Sequence, residues 1–127
     1  MTTVEKDTKT WVKNLFAIVD HGTPEELARY FADDGVLRFG NADPVVGREN
    51  IRETSRQFRR SLAGLEHEVL SAWRFEDTIM TELSVTYHRH DGQSLTLPCA
   101  NAFDLTADGL IARYQIYMDI APVFAPA

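Results

Sequence analysis

The sequence lacks the features typical of secreted, membrane-spanning and nucleic-acid-binding proteins. It has one cysteine, Cys99, which excludes an intramolecular disulfide. It has no N-terminal signal-peptide pattern and no apolar run near the roughly 18 residues that a membrane helix needs. Its 19 acidic residues outnumber 13 basic ones, and a formal net charge of -6 argues against binding to phosphate backbones. We therefore expect a cytoplasmic protein that binds neither nucleic acid nor membrane.

Nothing in the sequence divides the chain into parts. With 127 residues, 44% of them hydrophobic, it is large enough for one hydrophobic core. It contains no repeat, low-complexity tract or Gly/Ser-rich linker, so a single domain over residues 1–127 is predicted. It also lacks a phosphate-binding loop, a nucleophile elbow and a dinucleotide fingerprint.

The first half of the chain has helical periodicity. One stripe at helical spacing consists of Trp11, Leu15, Ile18 and Val19. Gly22 is placed to end this helix. Thr23, Pro24 and Glu26 have the spacing of a capping box, which predicts a second helix that ends at Asp33-Asp34-Gly35. A short strand over 36–39, a loop over 40–47 and a third helix follow. The buried stripe of that helix is Ile51, Ser55, Phe58 and Leu62.

The second half alternates apolar and polar residues, which is typical of strands. Four strands are predicted, at about 65–75, 79–89, 94–105 and 110–119. Helices in one half and antiparallel strands in the other predict an α+β fold. Three N-terminal helices are expected to pack on one face of a strongly curved, mostly antiparallel sheet and to enclose a pocket.

Matching of faces across the hairpins predicts which residues point into that pocket. A two-residue loop at Asp91-Gly92 would mix the two faces, whereas a three-residue loop, 90–92, sets Val85 opposite Leu97. A four-residue turn, 106–109, then sets Asn101 opposite Tyr114, Cys99 opposite Ile116 and Leu97 opposite Met118. The predicted inner face is Leu83, Val85, Tyr87, Leu97, Cys99, Asn101, Phe103, Tyr114, Ile116 and Met118.

Three segments resemble a known superfamily. The runs YFADD at 30–34 and GRENI at 47–51, with the ending Asp108-Gly109 and 117–119, are similar to the SnoaL-like branch of the nuclear transport factor 2-like superfamily. The resemblance covers nearly the whole chain and implies a cone of three helices and a bent sheet around a pocket. The superfamily includes polyketide cyclases, ketosteroid isomerases, limonene epoxide hydrolases, scytalone dehydratases and non-enzymatic partner-binding proteins. The fold alone therefore does not choose the function.

Most catalytic residues of these relatives have no counterpart here. The general-base position of ketosteroid isomerases holds Phe39, and their oxyanion-hole tyrosine falls near Leu15. The polar positions of limonene epoxide hydrolases fall on Leu37, Phe39, Leu83, Val85 and Ile116. Asn101 falls where ketosteroid isomerases keep a protonated aspartate, so its NH2 group is a candidate donor to a developing oxyanion.

Each candidate catalytic residue also has a structural interpretation. Asn101 is either this donor or a pocket amide satisfied by Tyr114 or a backbone group. Tyr87 and Tyr114 either assist proton transfer or are core aromatics with a polar tip. The predicted apolar pocket walls are Leu15, Leu37, Phe39, Leu83, Val85, Leu97, Cys99, Phe103, Ile116 and Met118.

No carboxylate falls on the predicted inner face, so a general base must come from a helix or the loop. Asp43 and His67 are the candidates, although His67 is otherwise expected at the surface. Arg38 is a weaker candidate at the pocket mouth. His88 and His90 have the spacing of two metal ligands, but they fall on the polar face of a hairpin end without a third ligand, so no metal site is predicted. Asp119 is expected to be structural. The arginines of the third helix, expected to form a solvated face with acidic partners, are Arg48, Arg52, Arg56, Arg59 and Arg60.

The leading hypothesis is a small-molecule enzyme of isomerase, cyclase or lyase type that acts on an apolar, ring-containing carbonyl compound without a cofactor. The alternative is a non-catalytic ligand-binding or dimerisation module, which the missing acids and bases favour. A partner-protein adaptor would need an exposed apolar patch that the sequence does not reveal. A homodimer is expected through the outer sheet face, which carries Thr86, Thr96, Ala100, Ala102, Arg113, Gln115 and Tyr117.

Overall fold

The protein, as described by a computed structural model over residues 3–126, has four helices and one six-stranded sheet. The helices are α1 (Thr3–His21), α2 (Pro24–Ala28), α3 (Arg48–Arg60) and α4 (Ala121–Phe124). The strands are β1 (Phe31–Phe39), β2 (Val45–Val46), β3 (Gly64–Phe75), β4 (Thr78–His88), β5 (Ser94–Leu105) and β6 (Ile111–Tyr117). Their order in the sheet is β2-β1-β6-β5-β4-β3, and only β1 and β6 pair in parallel. The predicted α+β class is confirmed.

The helical segment around residue 30 ends earlier than the sequence predicts. The capping box is present, because Thr23 Oγ1 accepts from Glu26 N at 3.1 Å and Glu26 Oε1 accepts from Thr23 N at 3.0 Å. However, α2 ends at Ala28, and the prediction that it continues to Asp33-Asp34-Gly35 is wrong. β1 already begins at Phe31, because pairing with β6 overrides the helical pattern of this run.

Across the described residues, no helix is both long and apolar enough to cross a membrane.

The polar face of α3 is held against the preceding elements by ion pairs. Arg48 donates to Phe31 O and lies 2.9 Å from the carboxylate of Asp33. Arg52 and Arg56 both approach Glu25 on α2, at 3.7 Å and 2.5 Å. These pairs confirm the expectation of acidic partners for these arginines, and they fix α3 over the end of the sheet where β1 and β2 pair.

One hairpin register is confirmed and the other is corrected. Val85 lies opposite Leu97 as predicted, and Gly92 has the left-handed conformation (φ 90°) that the three-residue loop requires. In the second hairpin, Asn101 lies opposite Ile116, so the three predicted pairs Asn101–Tyr114, Cys99–Ile116 and Leu97–Met118 are wrong. An irregularity between Asp104 and Leu105 shifts the register by one residue, and the observed pairs differ from the predicted ones by two residues. Because the side-chain period is two, every side chain keeps its predicted face.

Candidate active site

A cavity of about 350 Å³ lies between the helices and the inner face of the sheet. Its mouth is marked by exposed residues from the loop before α3, from α3 and from α4, namely Ala42, Asp43, Thr54 and Phe124. Arg89 follows the end of β4, and its Nη1 donates to Val123 O at 2.9 Å and to Ala125 O at 2.6 Å. These hydrogen bonds hold α4 at one side of the mouth. Most of the wall is apolar. The apolar lining residues are Val19, Leu27, Leu37, Phe39, Ala42, Val45, Phe58, Leu65, Ile116, Met118, Ile120 and Phe124.

The three predicted catalytic residues, Tyr87, Asn101 and Tyr114, all line this cavity. Only half of the residues predicted to form its apolar wall do so. The predicted wall residues that line it are Leu37, Phe39, Cys99, Ile116 and Met118. The other five, which lie outside the lining and within or against the core, are Leu15, Leu83, Val85, Leu97 and Phe103. The inner face extends beyond the cavity and is covered there by α1. Phe103, for example, packs edge-to-face on Trp11 with ring centroids 5.3 Å apart.

A buried histidine–aspartate pair forms one polar part of the wall. The expectation that His67 is a surface residue is wrong, because its side chain is 9% exposed and lines the cavity. Its Nδ1 lies 2.6 Å from Oδ1 of Asp20, and its backbone N–H donates to Oδ2 of Asp20 at 2.7 Å. Asp20, on the last turn of α1, is 7% exposed. Phe16, one helical turn earlier, stacks on the imidazole with ring centroids 4.5 Å apart.

These contacts fix both the orientation and the tautomer of the imidazole. The Asp20 carboxylate is an acceptor and uses one oxygen on the His67 backbone N–H and the other on Nδ1, so Nδ1 carries a proton. In neutral His67, Nε2 is then the nitrogen with the free lone pair, and within the described part of the chain it has no hydrogen-bond partner. An imidazole held in this way by a carboxylate is suited to act as a general base.

Asn101 on β5 forms a second polar part of the wall. It is 0% exposed, and its Nδ2 has no hydrogen-bond partner among the described residues. Its Oδ1 accepts from Sγ of Cys99 at 3.5 Å. Burial raises the pKa of the Cys99 thiol to about 11, so the thiol keeps its proton at neutral pH and can donate. A buried, unpaired NH2 group costs about 1–3 kcal/mol, and the structural alternative of an amide satisfied by Tyr114 or a backbone group is not observed.

The two cavity tyrosines are held as protonated phenols. Tyr87 donates its hydroxyl to Sδ of Met118 at 3.0 Å, and Tyr114 packs on Phe103 with ring centroids 4.4 Å apart. Burial raises the pKa of both phenols, and the nearby carboxylate of Asp20 adds to that effect. Both side chains are therefore suited to donate hydrogen bonds rather than to accept protons.

The remaining candidates lie away from this arrangement or at its edge. Asp43 is exposed at the mouth, whereas Arg38 lines a separate open depression beside Tyr117. His88 bonds Ser94 and Glu66, and His90 bonds Arg60 O. The described residues contain no group of three metal-ligating side chains. Asp119 accepts from Ala121 N at 3.0 Å, which is the structural role expected for it.

The sequence pattern does not indicate Asp20, whereas its partner His67 is predicted as either a surface residue or a candidate base. Phe16 and Asp20 are four residues apart on α1, so they share one helix face, but Asp20 and His67 are 47 positions apart. A polar residue near the end of an amphipathic helix was the only available signal. Nothing in one sequence connects that residue to a particular position on a distant strand.

Comparison with known proteins shows the family. Residues 12–114 match the model of the SnoaL-like domain, and the chain belongs to this family. A search of curated proteins finds no match.

Solved structures share the fold at low sequence identity. A candidate SnoaL-like polyketide cyclase from Jannaschia sp. CCS1 is 19% identical, with TM-score 0.82 and coverage of 100% of this chain and 98% of that one. A Catenulispora acidiphila DSM 44928 protein with a ketosteroid isomerase-like fold, solved with trimethylamine, is 20% identical, with TM-score 0.80 and coverage of 87% and 85%. SalBIII, an epoxide hydrolase/cyclase-like enzyme of pyran ring formation in salinomycin, is 16% identical, with TM-score 0.78 and coverage of 92% and 94%. At this identity the likeness shows the fold alone.

Proposed function

We propose that the cavity is the active site of a small-molecule enzyme of isomerase, cyclase or lyase type, acting on an apolar, ring-containing carbonyl compound. The observation that carries the proposal is the buried His67–Asp20 pair in the wall of a cavity that also holds the unpaired amide of Asn101. A general base and a hydrogen-bond donor to an oxyanion are the two groups that proton abstraction beside a carbonyl requires. The membership in the SnoaL-like family, whose fold neighbours include cyclase-type proteins, agrees with this class.

In the proposed first step, Nε2 of His67 removes a proton from the carbon beside the carbonyl group. The electron pair of the broken C–H bond moves to the carbonyl oxygen, which becomes an enolate. Asp20 stabilises the imidazolium that forms, because its carboxylate lies 2.6 Å from Nδ1. Asn101 Nδ2 donates to the enolate oxygen, and it needs no change in protonation to do so.

The fate of the enolate distinguishes the three reaction types. In an isomerase, the imidazolium returns the proton to a different carbon. In a cyclase, the enolate carbon attacks a second electrophilic carbon of the same molecule, whose oxygen then takes the proton. In a lyase, the enolate expels a β-hydroxyl group, which takes the proton and leaves as water. None of these steps requires a cofactor, and the apolar wall limits the access of competing water.

A turnover screen tests this proposal. The protein is incubated with steroid enones, aromatic polyketide-like ketones and terpene epoxides, and the products are followed by mass spectrometry. We expect conversion of a carbonyl compound by the wild type and a loss of about 10²–10⁴ in rate for His67→Gln. His90→Gln, at an exposed position, is the matched control and retains the wild-type rate.

The alternative module predicts a different result in the same screen. A compound that binds in the cavity and is recovered unchanged, with equal affinity for wild type and His67→Gln, contradicts catalysis. That outcome favours the non-catalytic ligand-binding interpretation, for which the paired His67 and Asp20 are a structural element.

We also propose that the protein forms a homodimer through the outer face of the sheet. Trp73 on β3 lies opposite Met80 on β4, and Met80 lies opposite Ala102 on β5. Trp73 and Phe75 are 55% and 77% exposed, which is unusual for large apolar side chains on a paired strand. We expect Trp73→Glu to convert a dimer to a monomer in sedimentation velocity. A monomeric wild type contradicts the proposal.

A further inference from the structure

We infer that the cavity selects uncharged compounds of one or two rings that carry a hydrogen-bond acceptor, and that it rejects carboxylates of the same shape. The inference deepens the proposed function and rests on it only in that the same cavity is the ligand site. It concerns binding, so it can be tested without turnover.

The charges around the cavity argue against an anionic ligand. Among the described residues, no lysine or arginine lines it. The nearby arginines of α3, Arg52 and Arg56, are engaged with Glu25. If His67 is protonated, the carboxylate of Asp20 at 2.6 Å already balances its charge. A carboxylate in this apolar cavity would therefore be desolvated without a cationic partner of its own, which costs several kcal/mol.

The ionisable groups in the cavity wall also argue against an anionic ligand. Tyr87, Cys99 and Tyr114 are held in their uncharged forms by burial, which raises the pKa of each. Asp43 at the mouth adds a negative charge rather than a positive one. An entering anion meets neutral donors and carboxylates, whereas an uncharged compound loses no comparable hydration energy.

The volume of the cavity limits the size of the ligand. An apolar cavity of about 150 Å³ holds one benzene ring. The volume here, about 350 Å³, is a little more than twice that value. It is also at the lower end of the range of about 300–1,000 Å³ that is usual for ligand sites. The buried part of a ligand is therefore one or two rings, which is smaller than the four-ring system of a steroid.

The unpaired amide of Asn101 requires an acceptor on the ligand. Its Nδ2 is buried and without a partner among the described residues, so a ligand carbonyl oxygen would supply the hydrogen bond that the protein does not. Asn101 lines the cavity together with the apolar side chains of Ile116 and Met118. The expected ligand thus combines an apolar ring system with one carbonyl oxygen at its edge.

Three naphthalenes of matched shape test the inference. They are 2-acetylnaphthalene, which is uncharged with an acceptor, 2-naphthoate, which is charged, and 2-ethylnaphthalene, which is uncharged without an acceptor. Binding is followed near neutral pH by ¹H–¹⁵N shift perturbations of cavity residues. We expect the ketone to bind at least about tenfold more tightly than the carboxylate. Asn101→Leu should weaken the ketone about tenfold and leave 2-ethylnaphthalene unchanged, whereas Asn14→Leu, at an exposed asparagine, should change neither.

The outcomes separate the inference from the proposed function. Equal or tighter binding of 2-naphthoate by the wild type overturns the charge selection, and this comparison needs no variant. If none of the three compounds binds, the inferred ligand size of one or two rings is wrong. A selective wild type that turns over no carbonyl compound keeps the inference and contradicts catalysis alone.

Discussion

The two polar parts of the cavity wall differ in how completely their hydrogen bonds are satisfied. On the side of α1 and β3, both oxygens of Asp20 are engaged with His67, and Phe16 stacks on the imidazole. On the side of β5, the amide of Asn101 has a weak thiol donor at its oxygen and no partner at Nδ2. The first arrangement stabilises the folded protein, whereas the second costs stability and leaves a donor available. A buried polar group that stays unsatisfied lowers the stability of the fold, and such groups often serve function.

The largest expected effect on activity is that of Asp20→Asn. The amide oxygen can still accept from the His67 backbone N–H, and the NH2 group then faces Nδ1. If it donates to Nδ1, the proton moves to Nε2 and the imidazole loses the lone pair on that nitrogen. We expect a loss of about 10²–10⁴ in kcat on any compound that the wild type converts. ¹⁵N shifts of His67 report the change of tautomer.

The control for this variant is Asp7→Asn, which changes an exposed carboxylate on the same helix. It should leave the rate and the imidazole shifts as they are. A full rate for Asp20→Asn, with the tautomer changed, would contradict the role of His67 as the base.

Leucine at the two polar positions should have opposite effects on the free energy of unfolding. Asp20→Leu leaves the His67 backbone N–H and Nδ1 without their acceptor, and we expect a loss of about 2–4 kcal/mol. Asn101→Leu removes a buried unpaired NH2 group at similar volume, and we expect a gain of up to about 1 kcal/mol. Urea denaturation measures both. A large loss for Asn101→Leu would show that the amide is a structural group.

The Asn101 site could be predicted from the sequence because the pattern that marks it is local, whereas the pairing of His67 with Asp20 could not. Asn101 stood out as a polar residue on the apolar side of an alternating strand, and alternation fixes the face even when the register is two residues in error. The separation of helices and strands along the sequence predicted the fold class, and the resemblance to a known superfamily agreed with it. Asp20 and His67 meet only because α1 packs across β3, and that crossing is not encoded in the periodicity of either segment.

The same limit explains the errors in the predicted wall. Leu83, Val85 and Phe103 face the correct side of the sheet, but whether such a residue lines a cavity or packs in the core depends on which helix lies above it. Likewise, YFADD at 30–34 is compatible with a helix end or a strand start, and β6, 80 positions later, decides between them through the pairing of Phe31 with Ile111. Tertiary context overrides local propensity in both cases.

Raised pH should destabilise the protein through the cavity phenols. Burial raises the pKa of Tyr87 and Tyr114 above the ordinary value of 10.0, so the folded state holds these protons more tightly than the unfolded chain. Their contribution is complete below about pH 10 and is lost as the pH rises beyond it. Urea midpoints between about pH 8 and pH 11 should fall less steeply in a Tyr87→Phe, Tyr114→Phe double variant than in the wild type. Tyr117→Phe, at an exposed tyrosine, is the control. Equal slopes for the wild type and the double variant would contradict the prediction.

The smallest effect is expected at the contact that orients the Asn101 amide. Cys99→Ala removes the only donor to Oδ1 given by the described residues, while Cys99→Ser supplies a hydroxyl in its place. Because a thiol is a weak donor, the free energy of unfolding should change by less than about 1 kcal/mol beyond the loss of the buried sulfur. Orientation of the amide, however, should be lost. In Cys99→Ala the side-chain NH2 signals of ¹⁵N-labelled Asn101 should broaden, and affinity for 2-acetylnaphthalene should fall several-fold, whereas Cys99→Ser retains both. An unchanged amide signal in Cys99→Ala would mean that packing alone holds Asn101, and the thiol would then be only part of the wall.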